Sequence, residues 1–208
     1  MHMLPYGKET LVILTGYVLG CFTTGYYLVR MRTGQDVRLC GSGSVGATNV
    51  ARVIGPSGFI VTVLLDFLKG LLAVWMALYL RANPVAIMLT TLAVVMGHLW
   101  PAQLHFRGGK GVATSLGALL MYDYFIVMTF VALFAAAFAV LRNFVLAGML
   151  AFAVMPLVLF AIGFPLDSVF GSSALALLIL IAHRKNIPEE IHALSEKRLK
   201  DGKRVASK

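Results

Sequence analysis

FRGGKGVATSLGALLM, residues 106–121, holds the two features on which this chain turns. Its first half clusters Gly108, Gly109 and Gly111 around Lys110, and its second half, residues 112–121, is an apolar run. Clustered glycines let a backbone come close to an anion and turn N–H groups toward it, and a helix that starts there adds the positive end of its dipole. The apolar run falls short of the ~20 residues that a full membrane crossing needs. Whether it crosses decides the topology.

On either side of that stretch the chain is apolar. Hydrophobic residues make up 59% of the 208 positions and charged residues 13%, against about 25% charged in soluble domains; the mean hydropathy is +0.85. The chain therefore reads as an all-α integral membrane protein forming one polytopic domain over residues 1–208. Spans are expected at about 11–29, 58–80, 84–100, 112–121, 124–141, 144–162 and 169–182, with a basic tail over 183–208. The fourth and seventh are the shortest. The first apolar run is longer than a signal-peptide core and has no small-residue cleavage site after it, so it is read as a retained helix. Cys21 and Cys40 show neither metal-ligand spacing nor a disulfide framework.

By length alone the count could be five or six, and the distribution of cations argues for keeping the short span. With seven crossings, Arg30, Arg32, Arg38, Arg52, Arg107, Lys110, Arg142 and everything basic from Arg184 onward lie on one side, which collects 15 of the 18 Lys and Arg residues. That side is expected to be cytoplasmic, leaving the N-terminus outside and the C-terminus inside. Dropping residues 112–121 as a span would scatter the later cations across the membrane. The formal net charge of +9 then faces anionic headgroups and phosphorylated substrates. A nucleic-acid partner would account for the charge but not for the spans.

A second glycine-rich stretch, GSGSVGATNVAR over residues 41–52, lies on the same expected side. Ser42, Gly43, Ser44, Thr48, Asn49 and Arg52 form a set of hydroxyl, amide, backbone and guanidinium donors suited to phosphate. The stretch at 97–114 adds His98, Arg107, Gly108, Gly109 and Lys110, and AHRKNIPEE at 182–190 adds His183, Arg184 and Asn186. His183 and Asn186 are three apart and share one helical face. His183 suits two readings equally: a helix-end group balancing the macrodipole, or a catalytic residue. His98 fits a packed, hydrogen-bonded histidine better than a ligand. Asp66 and Lys69, also three apart but inside the second span, read as an ion pair that positions that span and braces the site. No histidine spacing suits zinc, so neither metal nor cofactor is expected.

Taken in order, these segments resemble the bacterial acyl-phosphate:glycerol-3-phosphate acyltransferases, the PlsY family. GSGSVGATNVAR is similar to that family's first motif, GSGNxGATNxxR; LDFLKG fits its second helix; GHLWPAQLHFRGGKGVAT is similar to GHxxPxxxxFxGGKGVAT; and HRKNI is similar to RHxxNI. The resemblance runs from about Gly16 to Ile187. It implies a seven-helix bacterial inner-membrane enzyme that moves an acyl group from acyl phosphate to the 1-hydroxyl of glycerol 3-phosphate, releasing phosphate and lysophosphatidic acid. It also implies a partner in the enzyme that makes acyl phosphate, membrane lipids as surroundings, and no cofactor. Carried over by position, the catalytic set is Arg52, Lys110, His183 and Asn186. Ser42, Gly43, Thr48, Asn49, Gly108 and Gly109 would by the same carry-over bind phosphate; the residues' own chemistry adds Ser44 and Arg107 to that set, with Asp66, Lys69 and His98 in support.

Several positions depart from the family pattern. Ser44 stands where Asn is usual, Cys21 and Thr23 where Ser and Pro are common, Val145 and Gly148 where serines occur, and Ala182 where Arg precedes the histidine. PEEIHALSEK replaces the familiar RLxxGxE continuation. Two other classes are open to such a chain: a transporter of a phosphorylated small molecule, or a diverged, non-catalytic lipid-binding relative. Neither glycine-rich string recurs within the chain, as the repeats of many transporters would require. No nucleophile elbow is present.

Overall fold

The computed structural model describes residues 7–184, 187, 188, 190–192, 194 and 195. Within them α-helix dominates and there is no strand. The helices are α1 (Gly7–Cys21), α2 (Thr24–Thr33), α3 (Ala47–Ile54), α4 (Pro56–Tyr79), α5 (Pro84–Leu99), α6 (Val112–Tyr122), α7 (Tyr124–Leu141), α8 (Phe144–Ala161) and α9 (Leu166–His183), with short 3-10 turns at Val37–Leu39 and Ala102–Leu104. Six segments are long and apolar enough to cross a membrane: Gly7–Thr33, Pro56–Tyr79, Pro84–Leu104, Tyr124–Leu141, Phe144–Ala161 and Leu166–His183. Each of the seven expected spans thus has a helical counterpart, and the chain is a multi-pass integral membrane protein.

Three expectations need correction. The run 11–29 is not one helix: it breaks at Phe22 and Thr23, between α1 and α2. A break inside a membrane frees carbonyls that need donors, and here side chains supply them. Lys69 Nζ lies 3.2 Å from the Gly20 carbonyl and 2.7 Å from that of Phe22. Gln103 Nε2 donates to the Cys21 carbonyl. The second correction concerns residues 41–52, whose latter part is not loop but the helix α3, so Thr48, Asn49 and Arg52 are helical. The third concerns the last span, which begins earlier than expected, at Leu166, and reaches 18 residues.

α6 has 11 residues, and its shortness has a local cause. After α5 the chain leaves the bundle and then re-enters: the N–H groups of Gly108 and Gly109 donate to the carbonyls of Leu99 and His98, each at 3.0 Å. α6 therefore starts at the depth of the last turn of α5, not at the surface. A helix of this length covers about 16 Å, and its last residue, Tyr122, shares a small cavity with Met88, Thr91 and Ser168 on α5 and α9.

Close backbone approach holds the bundle. Gly20 on α1 and Gly97 on α5 face one another, and a Cβ on either would run into main chain, that of Val94 in one case and Tyr17 in the other. On the α4–α6 seam Gly70 meets Thr114 and Gly117 meets Phe67 in the same way. Without a hydrophobic driving force between helices in lipid, such small-residue contacts supply the packing. A core of Val94, Leu99, Leu119, Ile126, Phe152, Met155, Leu175 and Ile179 joins α5 to α6, α7, α8 and α9. The outer surface stays apolar, with Val140, Leu157, Phe160 and Phe170 more than half exposed.

Candidate active site

The first glycine-rich turn is shaped by Asn49, which is buried on α3. Its Nδ2 donates to the carbonyls of Val37, Cys40 and Ser44 at 3.1, 2.9 and 2.9 Å, and its Oδ1 accepts from the Ser42 N–H at 2.9 Å. The amide is thereby engaged on both sides by the turn itself. Gly41 has a φ of 54°, and a Cβ there would collide with Asn49 Oδ1, so the turn closes around the amide only with glycine at that position. Ser44 Oγ accepts from the Gly46 N–H at 3.2 Å, whereas Ser42 and Thr48 are exposed. Arg52 is exposed beside Gly41 and makes no hydrogen bond or ion pair to any described residue.

Arg38 carries the first turn to the second. Asp36 caps the 3-10 turn through the Arg38 N–H at 2.9 Å and grips the guanidinium with both oxygens, the shortest contact being 2.7 Å. The hydrogen bond from Arg38 holds the Asp36 carboxyl below its ordinary value, and Asp36 in turn raises Arg38. The same guanidinium reaches Leu104 O at 2.8 Å and lies over the Tyr26 ring, 5.1 Å from its centre. Val37, Val45, Val50 and Leu104 form an apolar patch beneath these contacts.

In the second stretch, His105 and Phe106 are both left-handed, with φ of 55° and 59°, a sparsely populated conformation for side chains of this size. They reverse the chain so that Gly108 and Gly109 return to the end of α5. The N–H groups of those two glycines are spent on α5 carbonyls, so the donors facing outward belong to the residues after them. Arg107 is exposed and Lys110 half-buried. Gly111 caps α6 in the left-handed conformation, φ 80°, with no side-chain cap, and a Cβ on it would press on Leu99, Val95 and Ile179.

That last contact brings α9 to the same place. His183 ends α9, is 5% exposed, and its Nδ1 sits 2.8 Å from the Ile179 carbonyl. A carbonyl accepts only, so Nδ1 carries a proton, and in the neutral ring Nε2 presents its lone pair. Lys110 is near enough to act electrostatically on this ring. Asn186 lies outside the described residues.

Beneath the second turn is a buried polar cluster. Lys69 Nζ is 2.8 Å from Asp66 Oδ1 and 2.8 Å from His98 Nδ1, and the Thr24 hydroxyl donates to the same Asp66 oxygen at 3.0 Å. The ion pair expected from the spacing of Asp66 and Lys69 is therefore present. Sequence reasoning did not foresee that it also takes in His98, Thr24 and the carbonyls of the broken first span. Arg38 and Asp36 were also missed as site builders. Their one local signal is the acid–x–Arg spacing before a turn.

Comparison with known proteins fits this arrangement. A family model described as glycerol-3-phosphate acyltransferase matches residues 10–193. The chain is 40% identical over 190 residues to glycerol-3-phosphate acyltransferase 1 of Desulfitobacterium hafniense, covering 91% of this chain and 94% of that one. It is 34% identical over 177 residues to glycerol-3-phosphate acyltransferase 1 of Bacillus cereus, covering 85% and 97%. A crystal structure of PlsY (YgiH), an integral membrane glycerol 3-phosphate acyltransferase, in its glycerol 3-phosphate form superposes with a TM-score of 0.81 at 32% identity, covering 90% of this chain and 94% of that one. Its lysophosphatidic acid form gives 0.78 at 30%, with the same coverage. With two glycine-rich turns and a helix-end histidine gathered at one end of an apolar bundle, and with matches that span nearly its whole length, the chain belongs to the glycerol-3-phosphate acyltransferase family.

Proposed function

We propose that this chain is a membrane glycerol-3-phosphate acyltransferase that takes its acyl group from acyl phosphate, at the cytoplasmic face of a bacterial inner membrane. The 1-hydroxyl oxygen of glycerol 3-phosphate attacks the acyl carbonyl carbon. An ester C–O bond forms as the bond from that carbon to the phosphate oxygen breaks, and the products are lysophosphatidic acid and inorganic phosphate. The hydroxyl proton leaves on phosphate. The observation that carries this reading is the turn that opens α6, where Gly111 packs against Ile179, one helical turn before His183, and sets Lys110 on the same side of the bundle end as that histidine.

In this reading Arg52 and Arg107, with Ser42, Ser44 and Thr48, hold the two phosphates. Lys110 offsets the charge that builds on the leaving phosphate, aided by the positive end of α6. Asn49, Gly43, Gly108 and Gly109 shape the turns. The Nε2 lone pair of His183 accepts a hydrogen bond from the 1-hydroxyl and orients it, and Asn186, three residues further along the sequence, assists. Acyl phosphate is already activated, so positioning and charge stabilisation supply most of the acceleration and no covalent enzyme intermediate is needed. The acyl tail lies along the apolar helix surfaces, and the enzyme that makes acyl phosphate delivers it at the same membrane face.

The test is an assay of purified protein with glycerol 3-phosphate and either palmitoyl phosphate or palmitoyl-CoA, following lysophosphatidate and phosphate. Turnover with palmitoyl phosphate is expected. Equal or faster turnover with palmitoyl-CoA overturns the choice of donor. Absence of product from both donors overturns the enzyme reading in favour of a lipid-binding relative.

A further inference from the structure

His98 is 3% exposed and lies under the turn that opens α6. At Nδ1 it meets the Lys69 ammonium at 2.8 Å. The other neighbours of that ammonium are the Asp66 carboxylate and the carbonyls of Gly20 and Phe22, all acceptors. An ammonium has no lone pair, and its three hydrogens are shared among these four neighbours, so an Nδ1–H cannot face it at 2.8 Å; Nδ1 turns its lone pair to Lys69 and the neutral imidazole carries its proton on Nε2. Lys69 thus fixes the tautomer of His98, in the way an outer partner fixes a histidine that serves elsewhere.

Nε2 lies at the opposite edge of the ring. It occupies the place that a Cβ on Gly109 would take, directly under the second turn. No described residue accepts a hydrogen bond from it, so on a ring only 3% exposed this edge is the one left for a group from outside the chain. Two independent features converge there: the uncapped N-terminus of α6 and, at the glycine turn just before it, the edge of an almost wholly buried histidine that has no partner among the described residues.

We propose that His98 Nε2–H donates to a substrate phosphate oxygen held by Lys110 beside the Gly109 turn, and that Lys69, through Nδ1, is the positioning residue that makes this donor available. The inference deepens the acyltransferase reading and rests on it for the identity of the ligand, a phosphate monoester or acyl phosphate. It also gives a use to an ammonium and a carboxylate buried in a membrane, which are costly unless paired or functional.

The first measurement needs no substitution. Protein labelled with nitrogen-15 histidine is titrated by NMR with inorganic phosphate and then with glycerol 3-phosphate. The His98 ring is expected to show a bare Nδ1 and a protonated Nε2 whose resonance moves on saturation. A protonated Nδ1, or a ring that does not respond to either ligand, overturns the proposal. The second measurement is kinetic. His98→Gln places an amide nitrogen near Nε2, whereas His98→Asn restores only the acceptor that faces Lys69. His98→Asn is expected to raise KM at least tenfold for one phosphate substrate with kcat less changed, and His98→Gln to recover most of it. The substrate whose KM moves identifies the phosphate. Equal losses in both variants, or an unchanged KM in His98→Asn, overturn the proposal, and where His98→Asn does not fold the NMR titration decides. A protein that binds phosphate at His98 yet makes no lysophosphatidate refutes the acyltransferase reading alone; one that makes it with a protonated Nδ1 refutes this proposal alone.

Discussion

Arg38 donates from Nη1 to the Leu104 carbonyl at 2.8 Å, tying the first glycine-rich turn to the chain that enters the second. The bond is charge-assisted and its guanidinium is held by Asp36, so removing it should let the two phosphate cradles drift apart. Arg38→Ala is expected to lower kcat/KM roughly tenfold to a hundredfold, corresponding to about 1.5–3 kcal/mol for a hydrogen bond to a charged group. Arg38→Lys should not restore activity, because a point charge cannot bridge Asp36 and Leu104 together. Steady-state kinetics on the two variants checks this.

Asp36 gives the same link a pH dependence. Its folded carboxyl titrates below its unfolded value, chiefly because Arg38 hydrogen-bonds the charged form. A depressed carboxylate contributes its stability in full above the unfolded pKa, near 3.9, and loses it as pH falls through the folded value. With side chains about one fifth exposed, the contribution is modest, on the order of 1 kcal/mol or less. Thermal melts in detergent should show wild type losing more stability than Asp36→Asn between about pH 5 and pH 2. Parallel losses would show that the pair does not couple to folding.

Asn49 has a larger job than any single ligand. Replacing it with Asp keeps the oxygen that accepts from Ser42 but removes the donors to Val37, Cys40 and Ser44. Three buried or half-buried carbonyls would then face a carboxylate. Asn49→Asp should reduce turnover by about a hundredfold, the scale expected when reacting groups shift by an ångström. The helical circular dichroism of the bundle should be unchanged, and loss of helix would show that the turn is needed for folding instead.

Lys110 is tested more directly. As a point charge at the start of α6, it should matter in the transition state more than in the ground state, so Lys110→Ala is expected to cost about 10²–10³ in kcat. The protein should still extract and elute as wild type. Near-normal kcat/KM for both substrates would reduce the second turn to a structural feature.

For His183 the commitment of Nδ1 to Ile179 leaves Nε2 as an acceptor, which suits either orienting the 1-hydroxyl or taking its proton. The two roles differ in pH behaviour. On the orienting role, His183→Ala loses turnover while His183→Gln and His183→Asn retain a measurable fraction, because an amide can hold the hydroxyl but cannot act as a base near neutral pH. Three equally inactive variants, beside a wild-type profile governed by one base near pH 6.5, would make His183 the general base.

Hydropathy belongs to each segment alone, so the apolar spans and their rough limits were legible in the sequence, with ends that moved as at Leu166, whereas the amphipathic helix α3 and the break between α1 and α2 were not. The glycine-rich strings were legible too, because residues packed that densely with glycine and small hydroxyls announce close backbone approach. Their division of labour was not. Gly108 and Gly109 spend their N–H groups on α5, and Asn49 spends its amide on its own turn, so residues that look like ligands by type are supports by geometry.

By itself the sequence determined an apolar helical bundle, the short apolar helix after Gly111 and the family. The break at Phe22 and Thr23 belongs to the tertiary structure. No proline marks it, since Thr23 stands where the family commonly has one, and the carbonyls it frees are capped by Lys69 and Gln103 from 47 to 82 positions away. The tautomer of His98 was decided in the same way, by an ammonium 29 residues earlier in the chain. A local pattern can state that a polar group is buried, but its partner is chosen by packing between helices, and in a membrane with no water to substitute, that partner sets what the group can do.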